Sequence, residues 1–238
     1  MEIYLFLALI AFCAGFIQGL SGFGSVLLSL PLLVLFLEVK TAIPVVALFG
    51  VALSIFLLVQ LRQHWDWKKV YPLCLGSIPG APVGVWFLNQ TEAQFIQWTV
   101  GVVLIAYALY SLLLKPAARA TGTAWAYLCG FIAGCLGGAI SASGPPVIVY
   151  TSLQSWSKDQ IKVTLQGFFV ISGIVVIIFQ AIGGLVTERV LWYFLTALPL
   201  LLGGTWVGSL LYGRMKEETY RKILLILMGL LGLFMILK

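Results

Sequence analysis

The 238 residues are 61% hydrophobic and only 9% charged, and their formal net charge is +6. A soluble domain carries about 25% charged residues, so this composition excludes a soluble globular protein and predicts an all-α polytopic membrane protein. The basic excess does not indicate nucleic acid binding, because Lys and Arg lie singly or in short loops between apolar runs, as they do at a membrane surface.

Charged residues divide the chain into uncharged runs, and most of these runs are compatible with a single membrane segment. In chain order the runs are 3–37, 41–61, 70–91, 93–114, 120–157, 163–187, 190–213 and 223–237. Two of them, 3–37 and 120–157, are too long for one span. A helix of 35 residues would extend about 52 Å, whereas the hydrocarbon core of a bilayer is about 30 Å thick.

Both long runs contain a segment that interrupts a helix. Run 3–37 contains Gly19-Leu20-Ser21-Gly22-Phe23-Gly24-Ser25, and run 120–157 contains Gly137-Gly138-Ala139-Ile140-Ser141-Ala142-Ser143-Gly144-Pro145-Pro146. Glycine lowers helix propensity and proline cannot continue a helix. Each long run therefore predicts a helical hairpin: a helix followed by a re-entrant half-helix, at 25–37 and at 145–155, too short to cross the bilayer.

The basic residues predict the orientation of these segments. If each long run is a hairpin, the loops 62–69, 115–122, 156–162 and 214–222 lie on one side with eleven Lys or Arg residues, and three lie on the other side. If each long run crossed once, the two sides would carry equal numbers. The positive-inside rule favours the hairpins, with the four basic loops in the cytoplasm and both ends of the chain outside.

The two halves of the chain, 1–116 and 117–238, contain the same order of segments. Each has a hairpin followed by three helices, and Gly15-Phe16-Ile17-Gln18-Gly19 in the first half recurs as Gly130-Phe131-Ile132-Ala133-Gly134 in the second. Each half changes sides an odd number of times, so the second starts on the opposite side. The sequence predicts two inverted repeats, and inverted repeats with interrupted helices are typical of secondary transporters.

Two further pairs of glycines, Gly80/Gly84 and Gly204/Gly208, correspond between the halves. Small residues four apart let two helix backbones approach closely inside a membrane. We interpret these pairs as helix-contact faces rather than as parts of a binding site.

The apolar runs contain no Asp, Glu, Lys, Arg or His in their middle, whereas a pump driven by an intramembrane carboxylate relay normally shows one. They offer neutral donors and half-helix N-termini instead, and these suit an anion such as an oxyanion. The candidate substrate ligands are residues at the two breaks together with two glutamines inside apolar runs: Gln18, Ser21, Gly22, Phe23, Gly24, Ser25, Ser141, Ser143, Gly144, Pro145 and Gln166. Helix packing is the alternative role for each of the Ser and Gly residues. Because no nucleophile, base or metal-ligand set is present, we expect no enzyme activity, no cofactor and no metal site.

The segment Gly19-Leu20-Ser21-Gly22-Phe23-Gly24-Ser25 with Leu30-Pro31, and its partner Gly137-Gly138 through Pro145-Pro146, resemble the sulfite exporter TauE/SafE family, also called the toluene-sulfonate uptake permeases. The resemblance covers essentially the whole chain. It implies a secondary carrier of sulfite, sulfonates or related sulfur anions in a bacterial or archaeal plasma membrane. The first break reads Ser-Gly-Phe-Gly rather than an all-glycine run, so the substrate of a relative does not transfer directly.

Two other functions remain compatible with the sequence. One is a passive anion channel of the same architecture, and the other is a membrane assembly subunit that transports nothing. The exact substrate, the direction of transport, a coupling proton or other ion, and the oligomeric state are all left open by the sequence.

Overall fold

A computed structural model of the chain describes residues 2–113, 122–212 and 217–237. Within these ranges the chain forms ten α-helices and no β-strand, which confirms the predicted all-α fold. The helices are α1 (Glu2–Ser21), α2 (Ser25–Leu33), α3 (Val39–Leu61), α4 (Trp67–Gln90), α5 (Ala93–Leu113), α6 (Thr123–Ile140), α7 (Gly144–Ser152), α8 (Lys158–Ile182), α9 (Glu188–Leu211) and α10 (Glu217–Leu237). Seven of them are long and apolar enough to cross a membrane, so the protein is a multi-pass membrane protein.

Both predicted breaks are present. Between α1 and α2 the chain turns through Gly22 and Gly24, whose φ angles of +83° and +97° are left-handed and favour glycine. Between α6 and α7 the turn uses Ser141, the one non-glycine residue with positive φ in the described ranges, at +57°. The second arms, α2 and α7, have nine residues each and are about 14 Å long. Both arms are therefore shorter than a membrane-spanning helix, as predicted, and their re-entrant position in a bilayer stays a prediction.

Several predicted boundaries were wrong by a few residues. The short arms end at Leu33 and Ser152, before the expected residues 37 and 155. The loop expected at 156–162 is shorter, because α8 begins at Lys158, where the Ser157 hydroxyl and the Gln160 side chain form a capping box. Similarly, the loop expected at 62–69 contains a 3₁₀ turn, and α4 begins at Trp67.

Some of the predicted features lie outside the described residues. They are the boundary between the halves at 116/117 and five of the basic residues used for orientation, Lys115, Arg119, Arg214, Lys216 and Lys238.

Glycines mediate the closest helix contacts, and these contacts join the two halves. Helix α1 packs on α9, where a Cβ placed on Gly15 or Gly19 would meet the carbonyl oxygen of Leu201 or Thr205. A Cβ on Gly204 or Gly208 would in turn meet the α1 backbone. Helix α4 packs on α6 in the same way through Gly76, Gly80, Gly84, Gly130, Gly134 and Gly138. The predicted contact role of Gly80/Gly84 and Gly204/Gly208 is confirmed.

Two further contacts pair equivalent helices of the two halves. Helix α3 packs on α8, and α5 packs on α10, where Gly101 and Gly232 approach each other. The hairpin helices α1 and α6, in contrast, each pack on the second of the three helices that follow the hairpin in the other half, α9 and α4. This pairing is compatible with inverted repeats, and the repeat relation itself stays a prediction. Residues at both breaks make hydrogen bonds to α3 and α8.

Candidate functional site

Both breaks border one cavity inside the helix bundle. The cavity has a volume of about 50 Å³, and its wall contains Phe23, Gly24 and Ser25 from the first break and the segment 141–144 from the second. Central residues of α3 and α8, from Val46 to Ser54 and from Phe169 to Val176, complete the wall, so the cavity lies near the middle of both helices. We call this space the central cavity. None of the described residues that line it is charged.

Gln18 connects four helices at the first break. Its side chain is 2% exposed. Its Nε2 donates to Ser54 Oγ of α3 at 3.1 Å and to Gln166 Oε1 of α8 at 3.4 Å, while its Oε1 accepts from the Ser25 hydroxyl of α2. These bonds use both N–H groups and the carbonyl of the amide. Gln18 therefore stabilises the start of α2 as well as lining the central cavity.

Gln166, on α8, stabilises the same break by a hydrogen bond to its backbone. It is completely buried, and its Nε2 donates to the Gly22 carbonyl oxygen at 2.6 Å. A carbonyl in a broken helix has lost its partner within the helix, so this bond satisfies a buried acceptor at the turn. Gln166 is not among the residues that line the central cavity.

Ser141 and Gln180 stabilise the second break. The Ser141 hydroxyl donates to the Ile43 carbonyl oxygen of α3 at 2.9 Å and accepts from Gln180 Nε2 of α8 at 3.3 Å. These two bonds fix a residue whose left-handed backbone is unfavourable for a side chain other than glycine. Gln180 and Gln166 are 14 residues apart on α8, so the two breaks are supported at points about 21 Å apart along that helix.

Ser143 differs from the other polar residues at the breaks. It precedes the first residue of α7 and lines the central cavity, and its hydroxyl makes no hydrogen bond to any described residue. A Ser at this position often caps its own helix, but no such bond forms here. The first turn of α7 also has few N–H donors, since Pro145 and Pro146 have none. The Ser143 hydroxyl and the Gly144 backbone are therefore the donors that the second break can offer to a solute.

The predicted ligands separate into two groups by position. Those that line the central cavity are Gln18, Phe23, Gly24, Ser25, Ser141, Ser143 and Gly144. Those that do not are Ser21, Gly22, Pro145 and Gln166. The Ser21 hydroxyl lies within 2.7 Å of the Ile17 and Phe23 carbonyl oxygens and can donate its one proton to either of them. Ser21 also borders a second cavity, which is described below.

Sequence reasoning missed two residues that the structure brings to the breaks. Ser54 and Gln180 are buried polar side chains in otherwise apolar helices, and this was the available signal. The sequence also places Lys162 in a basic loop as an orientation marker, with attraction of anions at a cavity mouth as the alternative, whereas the structure buries it to 5% exposure near the first break. In the described ranges no group of His, Cys, Asp and Glu side chains could hold a metal ion.

Comparison with known proteins gives one family. The sequence model for the family described as "Sulfite exporter TauE/SafE" matches residues 7–235. A curated relative from Cupriavidus necator, described as "Probable sulfite/organosulfonate exporter TauE", is 29% identical over 190 residues, which are 78% of this chain and 74% of the relative. No solved structure matches the chain.

Proposed function

The chain belongs to the sulfite exporter TauE/SafE family, and from this premise we propose that it is a secondary transporter of sulfite or a small organosulfonate that alternates access around the central cavity. The observation that carries the proposal is the meeting of two helix breaks at one uncharged cavity. We propose Ser25, Ser143 and the backbone at Gly24 and Gly144 as the substrate ligands.

The electrostatics of the helix ends favour a monovalent anion. Helices α2 and α7 both begin at the central cavity, and the N-terminus of a helix carries about +0.5 elementary charge. Two such ends favour a single negative charge without a buried cation, and the α7 end contributes less than the α2 end because Pro145 and Pro146 have no N–H group. An organosulfonate or hydrogensulfite has this charge, whereas sulfate has two. We therefore expect the first two to bind more tightly than sulfate.

The helix pairing supports alternating access. In each half the hairpin helix packs on the second of the three helices that follow the hairpin in the other half, and the two breaks are held at different depths along α8. Inverted repeats give this arrangement, and exchange of the two repeats' conformations would move the opening of the cavity from one side to the other.

A partition between two cavities would favour a carrier over an open channel. Phe23 and Ile148 border both the central cavity and a second cavity, and we propose that their side chains separate the two spaces. A channel in its conducting state would have no such partition.

Transport by purified protein tests the proposal. Proteoliposomes loaded with sulfite, a small alkanesulfonate, sulfate or chloride should release the first two faster than protein-free liposomes do, with a rate that saturates with concentration. Flux that stays proportional to concentration at ion-channel rates would instead favour the channel. Absence of any anion flux would favour a subunit without transport activity.

Ser143 and Ser141 form a matched pair for locating the site. Ser143→Ala removes a hydroxyl that has no partner among the described residues, so sulfite affinity should fall while thermal stability stays near that of the wild type. Ser141→Ala leaves Gln180 and the Ile43 carbonyl without a partner, so thermal stability should fall by an amount equivalent to about 1–3 kcal/mol. Unchanged affinity in Ser143→Ala would contradict its role as a ligand.

A further inference from the structure

A second cavity adjoins the central one. Its volume is about 160 Å³, and its wall includes Phe23 and Ile148, which it shares with the central cavity. The start of α8 and the end of α9 form its outer part, with Lys158 and Tyr212. We call this space the vestibule. By the distribution of basic residues, it opens on the side that the sequence predicts to be cytoplasmic.

Lys162 brings a buried positive charge to the vestibule. The side chain is 5% exposed, and its stem lies over Gly22, where an added Cβ would be 2.8 Å from Lys162 Cγ. The ammonium donates to the Gly19 carbonyl oxygen at 3.0 Å and lies 3.5 Å from the centroid of the Tyr212 ring. The left-handed glycine at the first break thus provides the space in which this lysine is held.

No carboxylate forms an ion pair with this ammonium in the described part of the chain. Asp159 lies one turn earlier on α8 and attracts the ammonium at longer range, but its carboxylate accepts the Tyr212 hydroxyl at 3.0 Å and lies more than 4.0 Å from the Lys162 ammonium. A carbonyl and an aromatic ring satisfy part of the ammonium group, which has three donors. A buried cation is normally paired with an anion because desolvation is costly, so an anion in the vestibule would supply the direct ionic partner that Lys162 lacks among the described residues.

Lys158 extends the positive charge to the mouth of the vestibule. It is exposed, it lies four residues before Lys162, and both line the same cavity. Residues four apart share one face of a helix. Positive charge therefore runs from the solvent inward along α8, in a cleft with apolar walls, and such a gradient attracts small anions.

We infer that the vestibule is a second anion-binding site, in which Lys162 holds the sulfur oxyanion by a charge-assisted hydrogen bond before the anion passes Phe23 and Ile148 into the central cavity. The inference rests on the proposed function, because it assigns the same class of anion to both sites. The two sites would bind the anion by different interactions. The vestibule attracts it by positive charge, and the central cavity binds it with neutral donors and helix N-termini. Lys162 would exchange the Gly19 carbonyl oxygen for an oxygen of the anion.

Three variants test the vestibule. Lys162→Met keeps an unbranched apolar stem over Gly22 and removes the charge, Lys162→Arg keeps the charge, and Lys68→Gln removes an exposed positive charge that does not line the vestibule. In proteoliposomes with the vestibule side facing the sulfite, Lys162→Met should raise the KM for sulfite by about tenfold or more and leave the maximal rate within about twofold, as expected for loss of a charge-assisted bond outside the central cavity. Lys162→Arg should restore most of the wild-type KM, and Lys68→Gln should not change it.

A direct binding measurement separates this inference from the proposed function. Radiolabelled sulfite is bound at equilibrium to detergent-purified protein, and the wild type should bind two anions per chain where Lys162→Met binds one. Transport with an unchanged KM and unchanged stoichiometry in Lys162→Met would overturn the vestibule and leave the proposed function standing. Sulfite binding that depends on Lys162, without transport by the wild type, would support the vestibule and contradict the proposed function. Absence of both binding and transport in the wild type would overturn both.

Discussion

Replacement of Gln166 by leucine tests whether the first break must be held in place for the site to work. Leucine is similar in size but cannot donate a hydrogen bond. The Gly22 carbonyl oxygen therefore loses its 2.6 Å bond to the completely buried Gln166 side chain. An unsatisfied buried acceptor lowers the free energy of unfolding by about 1–3 kcal/mol. A hydrogen bond between two membrane helices contributes up to about 1.7 kcal/mol to that free energy. Gln18 keeps its bonds to Ser54 and Ser25. We therefore expect a loss of about 1–2 kcal/mol in the free energy of unfolding.

The same change should weaken substrate binding, although Gln166 does not line the central cavity. If the turn at Gly22 and Gly24 moves, the start of α2 moves with it. A loss of about 1–2 kcal/mol in the free energy of binding corresponds to a loss of sulfite affinity of roughly five- to thirtyfold, which is the largest effect we expect. Unfolding in mixed micelles of increasing denaturant gives the first quantity, and equilibrium sulfite binding gives the second. Gln94→Leu makes the same chemical change at an exposed position of α5 and should alter neither.

Two results would refute this reasoning. If Gln166→Leu is as stable as Gln94→Leu, the bond to Gly22 does not stabilise the break. If stability falls but sulfite affinity is unchanged, the geometry of the first break does not determine binding, and the site lies elsewhere.

Two further substitutions test the packing and the partition. Gly84→Ala places a methyl group against the Cys135 carbonyl oxygen and should lower the free energy of unfolding by about 1–3 kcal/mol. Gly203→Ala is the control, because a Cβ there meets nothing within 4 Å, and it should be neutral or slightly stabilising. Equal stability of the two variants would contradict the close contact of α4 and α6. Phe23→Ala removes part of the partition between the cavities, so downhill anion flux should rise and discrimination against chloride should fall, while Phe6→Ala, at an exposed position, should leave both unchanged. Flux and selectivity equal to those of the wild type would show that Phe23 does not gate the passage.

The positions of the breaks could be predicted because local chemistry determines them. Gly22 and Gly24 adopt backbone angles that other residues avoid, and Pro145 and Pro146 cannot continue α6 but suit the start of α7. The length of an uncharged run, compared with the thickness of a bilayer, then indicated that each long run folds back. These signals act within a few residues, so a single sequence contains them.

The support of the breaks could not be predicted, because it depends on the register of distant helices. The bond of Gln166 to Gly22 joins residues 144 apart, and that of Gln180 to Ser141 depends on how α8 passes the second break. Without those contacts Gln166 is indistinguishable from a substrate ligand. The burial of Lys162 was hidden for a different reason: a capping box starts α8 earlier than the charges suggest, and the space over Gly22 accommodates the lysine stem.

The central claim is that a sulfur anion binds between the two breaks. The most direct measurement is a difference density map between protein crystallised with and without the anion that the proteoliposomes transport. We predict a peak in the central cavity within hydrogen-bond distance of Ser25 or the α2 N-terminus on one side and of Ser143 on the other. Density in the vestibule alone, or at neither break while transport is active, would contradict the account.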